Sequence, residues 1–261
     1  MSGNYTLKNI TSESERLTTQ AKLLYGGSAF LDKFILGDKI SVLDVGCGTG
    51  VMSKYVAQKN INGTVIGVDI DEKRVKENNE ANTYSNLTFQ AADAYKLPFA
   101  DNTFDLCFCR FMLMHLCDPI RAIKEMARVT KKGGTVLAHE GFHDAIWMVP
   151  ARPVFEKFLS VWKTKMNSSK QDHSIGIRLH TLFSNSNLFS VEHSILAHSF
   201  AGSDPTIKQY LNNWREHIPS LKESLSPDIS DEDIDQISRE LEVCSASDFC
   251  LELTVVASGK K

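Results

Sequence analysis

The run Val42-Leu43-Asp44-Val45-Gly46-Cys47-Gly48-Thr49-Gly50 constrains this chain more than any other feature. An apolar stretch beginning at Ile40 passes into three alternate glycines, and a helical pattern follows from about Gly50 to Gln58. Glycines at a strand-to-helix turn permit a tight bend and let a ligand approach the backbone closely. The same alternation repeats downstream. Strands are predicted over Thr64–Val68, Leu87–Gln90, Phe104–Cys109 and Thr135–His139. Helices are predicted over Glu72–Ala81 and from Pro119 to Thr130, the second capped by Asp118 with proline at its first position. Strands alternating with helices of this length imply a parallel sheet, and continuous apolar runs suit strands buried on both faces.

After Glu140 the rhythm changes. Phe155, Phe158, Leu159, Trp162 and Met166 make a helical stripe, and a second helix is expected over Ile175–Phe183. Val191–Phe200 reads as a sixth strand, Pro205–His217 and Asp231–Val243 as helices, and Phe249–Ala257 as a seventh, antiparallel edge strand. Ahead of the first strand, Ser12 and Glu15 form a capping box for a helix from about Glu13, which Gly26-Gly27 ends. The expected architecture is α/β: a Rossmann-like, seven-stranded, mostly parallel sheet with helices on both faces. An N-terminal helical lid would occupy residues 1–36. The domain over 37–261 would carry helical cap insertions at about 142–188 and 203–245.

The spacing around the glycines narrows the ligand. Gly46-x-Gly48-x-Gly50 is not the G-x-G-x-x-G that places a pyrophosphate on a helix N-terminus. Asp44 lies inside the strand, where a carboxylate repels phosphate and suits a cation. Asp69 closes the second strand, placed to accept from ribose hydroxyls. Asp93 follows the third strand, placed to accept from an exocyclic adenine amine. These features describe a ligand with adenine, ribose and a positive centre but no phosphate, which S-adenosylmethionine satisfies. A nicotinamide-dependent dehydrogenase shares the opening turn, but the glycine spacing and Asp44 count against it.

Composition bounds the partners. A net charge of -3 leaves no basic excess for a nucleic-acid backbone. No apolar run approaches the length of a membrane span, and the N-terminus lacks a signal pattern. The six cysteines include no C-x-x-C pair, so they read as small buried hydrophobes in a reducing, cytoplasmic setting, with no metal expected. The expected partner is a small molecule, with the protein a monomer or homodimer.

From Ile40 to about Glu140 the chain resembles the class I S-adenosylmethionine-dependent methyltransferases, particularly the ubiquinone/menaquinone-biosynthesis-like group. The matching pieces are Val42–Gly50, Val65–Asp71, Ala92–Phe99, Phe104–Pro119 and Ala127–Leu137. Lys132-Gly133-Gly134 departs from the Pro-Gly-Gly common in the family. The resemblance implies that Asp44, Gly46, Cys47, Gly48, Thr49 and Gly50 surround the methionine part and ribose. It implies that Asp69 holds the ribose, Ile70 packs on the adenine, and Asp93 and Ala94 hold its amine. Arg110 and His115 would border the sulfonium and the acceptor pocket. Tyr5 and the run Ser14 to Ala21 resemble a lid in one subgroup, as Asp172 to Leu179 resembles its segment after the fifth strand. Arg16 and Gln20 would then share a helix face closing on the cofactor, with Arg16 near the methionine carboxylate.

Methyl transfer from an activated sulfonium needs alignment and exclusion of water; a base is needed only where the acceptor keeps a proton. Glu140 and His143 follow the fifth strand, at the rim where ligands of such sheets bind, and are the candidate bases. His139 reads as a packed neighbour. Phe142, Trp147, Met148, Phe155 and Trp162 are available to roof an apolar or aromatic acceptor. Two alternatives share these features: a methyltransferase-like protein that binds the cofactor without methyl transfer, and a protein methyltransferase.

Overall fold

A computed structural model describes residues 18–20, 23, 29–35, 37, 39–242 and 245–261. Most of the expected lid, including Ser12, Glu15, Tyr5 and Arg16, lies outside these residues. Thr18, Thr19, Gln20 and Leu23 are helical. A short helix α1 (Ala29–Asp32) precedes an alternating series: β1 (Ser41–Val45), α2 (Val51–Lys59), β2 (Thr64–Asp69), α3 (Glu72–Glu80), β3 (Leu87–Ala91), β4 (Phe104–Arg110), α4 (Pro119–Val129) and β5 (Thr130–Val149). Then come α5 (Pro153–Ser168), α6 (Leu179–Ser184), β6 (Phe189–Ala201), α7 (Pro205–His217), α8 (Lys222–Leu225), α9 (Asp231–Glu242) and β7 (Phe249–Lys260). The strands form one sheet in the order β3-β2-β1-β4-β5-β7-β6. β7 is antiparallel to both neighbours and the other recorded pairings are parallel.

Strand parity divides the core. Leu43, Val45, Cys107, Cys109, Val136 and Ala138 pack with Ile123 and Met126 of α4 and Phe183 of α6. Their strand neighbours Val42, Leu106, Phe108 and Leu137 pack with Met52 and Val56 of α2 and Leu31 of α1. Helices therefore cover both faces, as the apolar strand runs require. Each large side chain so buried contributes about 1.5–3 kcal/mol. Helix α4 starts as expected: the Asp118 carboxylate accepts from the Arg121 backbone N–H at 3.2 Å, and Pro119 takes the first position. Of the cysteines, Cys47, Cys107, Cys109 and Cys250 are buried, but Cys117 is exposed, against expectation.

Three features differ from the sequence reading. β7 is not an edge strand; it inserts between β5 and β6, leaving β6 at the edge. β5 runs far beyond His139, to Val149, because β7 supplies a partner along its whole length. The cap segment expected from about 142 therefore opens as strand, and its first helix starts at Pro153. The pairing slips between Phe142 and Ile146, where His143, Asp144 and Ala145 bulge out of register. Local periodicity cannot report a partner a hundred residues away, nor a bulge that breaks the alternation.

The two insertions make one layer. Phe155, Phe158 and Trp162 of α5 pack with Ile207, Leu211 and Trp214 of α7 and with Ile237 and Leu241 of α9. Polar contacts lock them together. Glu240 accepts from the Val154 and Phe155 backbone N–H groups at 3.3 and 3.1 Å, and Lys157 pairs with Asp233 at 2.9 Å. Arg152 reaches the buried Asp248 at 2.7 Å.

Candidate functional site

The turn after β1 is built from left-handed backbone: Gly46, Gly48 and Gly50 have φ of 74°, 54° and 72°. The Gly46 and Cys47 N–H groups donate to the Val68 carbonyl at 2.8 and 2.9 Å, tying the turn to β2. The Asp69 carboxylate holds the next part, accepting from Gly48 N–H at 2.9 Å and from Asp71 N–H at 3.0 Å. Asn78 of α3 donates to the Gly48 carbonyl at 2.7 Å. These bonds hold the loop in a fixed shape.

This loop forms one wall of a cavity of about 220 Å³ at the carboxyl ends of the parallel strands. Asp44, Gly46, Cys47, Gly48, Thr49, Asp69, Ile70, Asp93, Ala94, Arg110, His115, His143 and Gln20, all candidates from the sequence, line it. Two expected residues do not. A side chain at Gly50 would meet Phe89 at 2.6 Å, so this glycine serves helix–sheet packing. Glu140 is fully buried and is not part of the wall. Its Oε1 accepts from the Met112 and Leu113 backbone N–H groups at 3.0 and 2.8 Å, anchoring the turn after β4. His139 is likewise packed away, its Nε2 2.8 Å from Thr254 Oγ1.

The opposite wall comes from the cap, which the sequence reading resolved poorly. Trp162 and Met166 of α5 and Asn213, Trp214 and His217 of α7 line it, with Gln171 and His173 from the loop after α5. Of the aromatic residues expected to roof the pocket, only Trp162 lines it. Phe155 lies in the cap core, and Trp147 is 50% exposed. Trp214, Asn213 and His217 carry no local signal, because their helix looks like any amphipathic helix until its partner is known. His173 stands within the run Asp172 to Leu179 that resembles the subgroup.

Electrostatics set the cavity's character. Asp44 is 2% exposed and accepts from Ser53 Oγ at 2.6 Å. Burial, with the Asp69 carboxylate adding to it, pushes Asp44 up to about 7. Arg110 is lowered by burial to about 9, opposed by the Glu140 carboxylate, and stays charged at neutral pH. Burial lowers His143 to about 4 and His173 further below its usual range, so both imidazoles are neutral. The groove thus offers carboxylates at one end and uncharged rings at the other.

The buried acids make stability pH-dependent. Burial raises Asp44 to about 7, Glu140 to about 8 and Glu252 to about 7. The fold keeps these protons where the unfolded chain has lost them, so their stabilisation disappears as pH rises through these values. Buried His139, His143, His173 and His198 act oppositely, since their folded values fall below 6.5. Their contribution grows with pH and is complete above 6.5. Between pH 6.5 and 8 only the carboxylates act. The Tm of the ligand-free protein is therefore expected to fall by a few degrees across that interval. Thermal scans should show a shallower fall in Glu140→Gln; an identical slope would contradict the buried acid's role.

Residues 43–138 match the model of a methyltransferase domain family. The ubiquinone/menaquinone biosynthesis C-methyltransferase UbiE of Bdellovibrio bacteriovorus is 38% identical over 101 residues, covering 38% of this chain and 43% of that one. The demethylmenaquinone methyltransferase of Renibacterium salmoninarum is 36% identical over 118 residues, covering 45% and 47%. The chain spans less than half the length of these relatives. The solved YcgJ protein of Bacillus subtilis superposes with a TM-score of 0.55 at 21% identity, over 90% of this chain and 97% of that one, and so shares the fold. Over residues 43–138, less than half of its length, the chain is thus similar to a methyltransferase domain.

Proposed function

We propose that this chain binds S-adenosylmethionine against the β1 loop and transfers its methyl group to a small molecule held beneath the cap. One observation carries the reading: a single cavity has the glycine loop and Asp44, Asp69 and Asp93 on one wall and Trp162, Trp214 and His143 on the other. The donor set fits the cofactor. Asp69 would accept from ribose hydroxyls and Asp93 from the adenine amine, with Ile70 against the ring. A positive centre near Asp44 would favour its ionised form and offset its burial. Gln20 and Arg110 would border the methionine part. When bound, the cofactor supplies an electrophilic methyl group, and the protein aligns the acceptor and excludes water.

The acceptor is read from the cap. The matched domain ends at residue 138, before His143, Trp162 and Trp214, so the relatives' quinone acceptors do not carry over by themselves. Two indoles and neutral imidazoles favour a planar, uncharged molecule. His143, on the wall, is the base in this reading; Glu140, turned to the backbone, is not. No helix among the described residues is long and apolar enough to cross a membrane. Buried thiols such as Cys107 and Cys109 suit the reducing cytoplasm.

The test is direct. S-adenosylhomocysteine at about 100 times its Kd should stabilise the protein by roughly 2.7 kcal/mol, and NAD should not. Methyl-labelled donor incubated with a metabolite extract should then yield a labelled small molecule. Stabilisation without any labelled product would favour a binding protein, and label on polypeptide a protein acceptor. Equal stabilisation by NAD would sink the reading.

A further inference from the structure

Glu252 was not singled out in the sequence, yet it holds an unusual place. It lies in the middle of β7, 1% exposed, directly opposite the β5 bulge. A carboxylate inside a sheet loses hydration worth several kcal/mol unless partners replace it. Its Oε2 has one, accepting from the Tyr210 hydroxyl at 2.9 Å. Its Oε1 has no hydrogen-bond partner, and stands 3.7 Å from His143 Nε2. The other ring nitrogen of His143, Nδ1, is buried and also unpartnered. Around the His143 ring, centroid to centroid, lie the rings of His173 at 5.6 Å, Trp162 at 5.4 Å and Trp214 at 6.1 Å. Both His173 nitrogens and Asn213 Oδ1 are buried without partners too.

Buried polar groups are ordinarily satisfied, so several unsatisfied ones lining a single cavity point to something that binds there. The bulge supplies the cause of the placement. In regular register His143 would follow the alternation of β5; three residues out of step re-aim it between Glu252 and the cavity.

We propose that Glu252 is a positioning residue that holds His143 as the base for an acceptor carrying a dissociable proton. The inference rests on the methyltransferase reading above. With the site occupied, Nε2–H closes the 3.7 Å gap and donates to Glu252 Oε1, which fixes the tautomer and leaves the Nδ1 lone pair free. That lone pair takes the proton of the acceptor's X–H group, and the X–H electron pair stays on X as the nucleophile. The donor supplies the methyl group and retains the sulfur–carbon electron pair as it becomes a thioether. The imidazolium, stabilised by Glu252, later returns its proton to solvent. His173 and Asn213 are placed to bond a second polar group of the acceptor.

The experiment is imidazole ¹⁵N NMR of the full chain saturated with S-adenosylhomocysteine, titrated over pH. The ionisable groups around the pair are Glu252 and Tyr210, then His173, His115 and His217, with Asp144 adjacent in sequence. Wild type is expected to show His143 with its hydrogen on Nε2. Glu252→Gln is expected to lower the His143 pKa by about one unit and to weaken the tautomer bias, with S-adenosylhomocysteine affinity unchanged. Tyr210→Phe, which strips the support from Oε2, should move His143 in the same direction by less, and serves if Glu252→Gln does not fold. Unchanged His143 signals in a folded variant overturn the proposal while leaving the methyltransferase reading intact. Failure of S-adenosylhomocysteine to bind wild type overturns both. A labelled product that is a quaternary ammonium or a sulfonium also overturns it, because such acceptors have no proton to lose and would use Glu252 and the indoles as a cation cage.

Discussion

Gly48→Val is expected to abolish S-adenosylhomocysteine binding while leaving the protein folded. Gly48 sits at φ 54°, where a β-branched residue is a genuine outlier. Its backbone is held at two points, by Asp69 Oδ2 on the N–H and by Asn78 on the carbonyl. The loop therefore cannot relax without giving up bonds. Nothing lies within 4 Å of where a Cβ would stand, so no core side chain is displaced and the added bulk meets open space. Strain of about 1–3 kcal/mol lowers Tm by roughly 2–12 °C but leaves a cooperative transition. The ligand, which must approach this backbone closely, loses its seat. Gly50→Ala should behave differently, since its Cβ would strike Phe89 at 2.6 Å: stability suffers first. Calorimetric titration that finds Gly48→Val binding as wild type does would remove the loop from the site.

Asp69→Ala carries the second large effect. The carboxylate accepts from two backbone N–H groups that shape the loop and also lines the cavity. Hydrogen bonds to a charged acceptor are worth about 1.5–3 kcal/mol each, so losing two ribose bonds costs at least 100-fold in affinity. Releasing the Gly48 and Asp71 N–H groups adds to that loss by loosening the loop. Asp69→Asn retains one acceptor oxygen and should lose less, about tenfold. Affinities of S-adenosylhomocysteine for the three proteins, measured by calorimetry, check the order. Equal binding by Asp69→Ala and wild type would move the ribose site elsewhere.

Most of the cavity wall around the glycine loop was legible in the sequence. Asp44, Asp69 and Asp93 meet because parallel strands joined by right-handed crossovers end on one edge of the sheet. A residue's place just after its strand therefore fixes its place in the crevice. The same rule erred at Glu140, expected just past the fifth strand but lying within β5, where its carboxylate accepts from backbone N–H groups of the turn after β4. It erred at Gly50, a member of the motif whose duty is to admit Phe89. Both errors concern which way a side chain turns, and strand order does not carry that information.

The cap wall of the cavity was not legible. Trp214 and Asn213 lie more than 160 positions from the glycine loop and reach it only because two separate insertions pack into one cap. Glu252 reads as a polar residue in a weakly alternating strand. Its position opposite His143 depends on β7 entering between β5 and β6 and on a bulge that no periodicity announces.

The amino-acid sequence by itself determined the strand–glycine–helix turn, the alternation that builds the parallel sheet, and the three acids that border the cavity. Those features arise from neighbours within a few residues, where backbone sterics and hydrophobic period decide. Only the tertiary structure decided which histidine faces the cavity, which carboxylate stands behind it, and which aromatic residues close it. Those outcomes follow from long-range pairing and packing, whose energy depends on residues far apart in the chain.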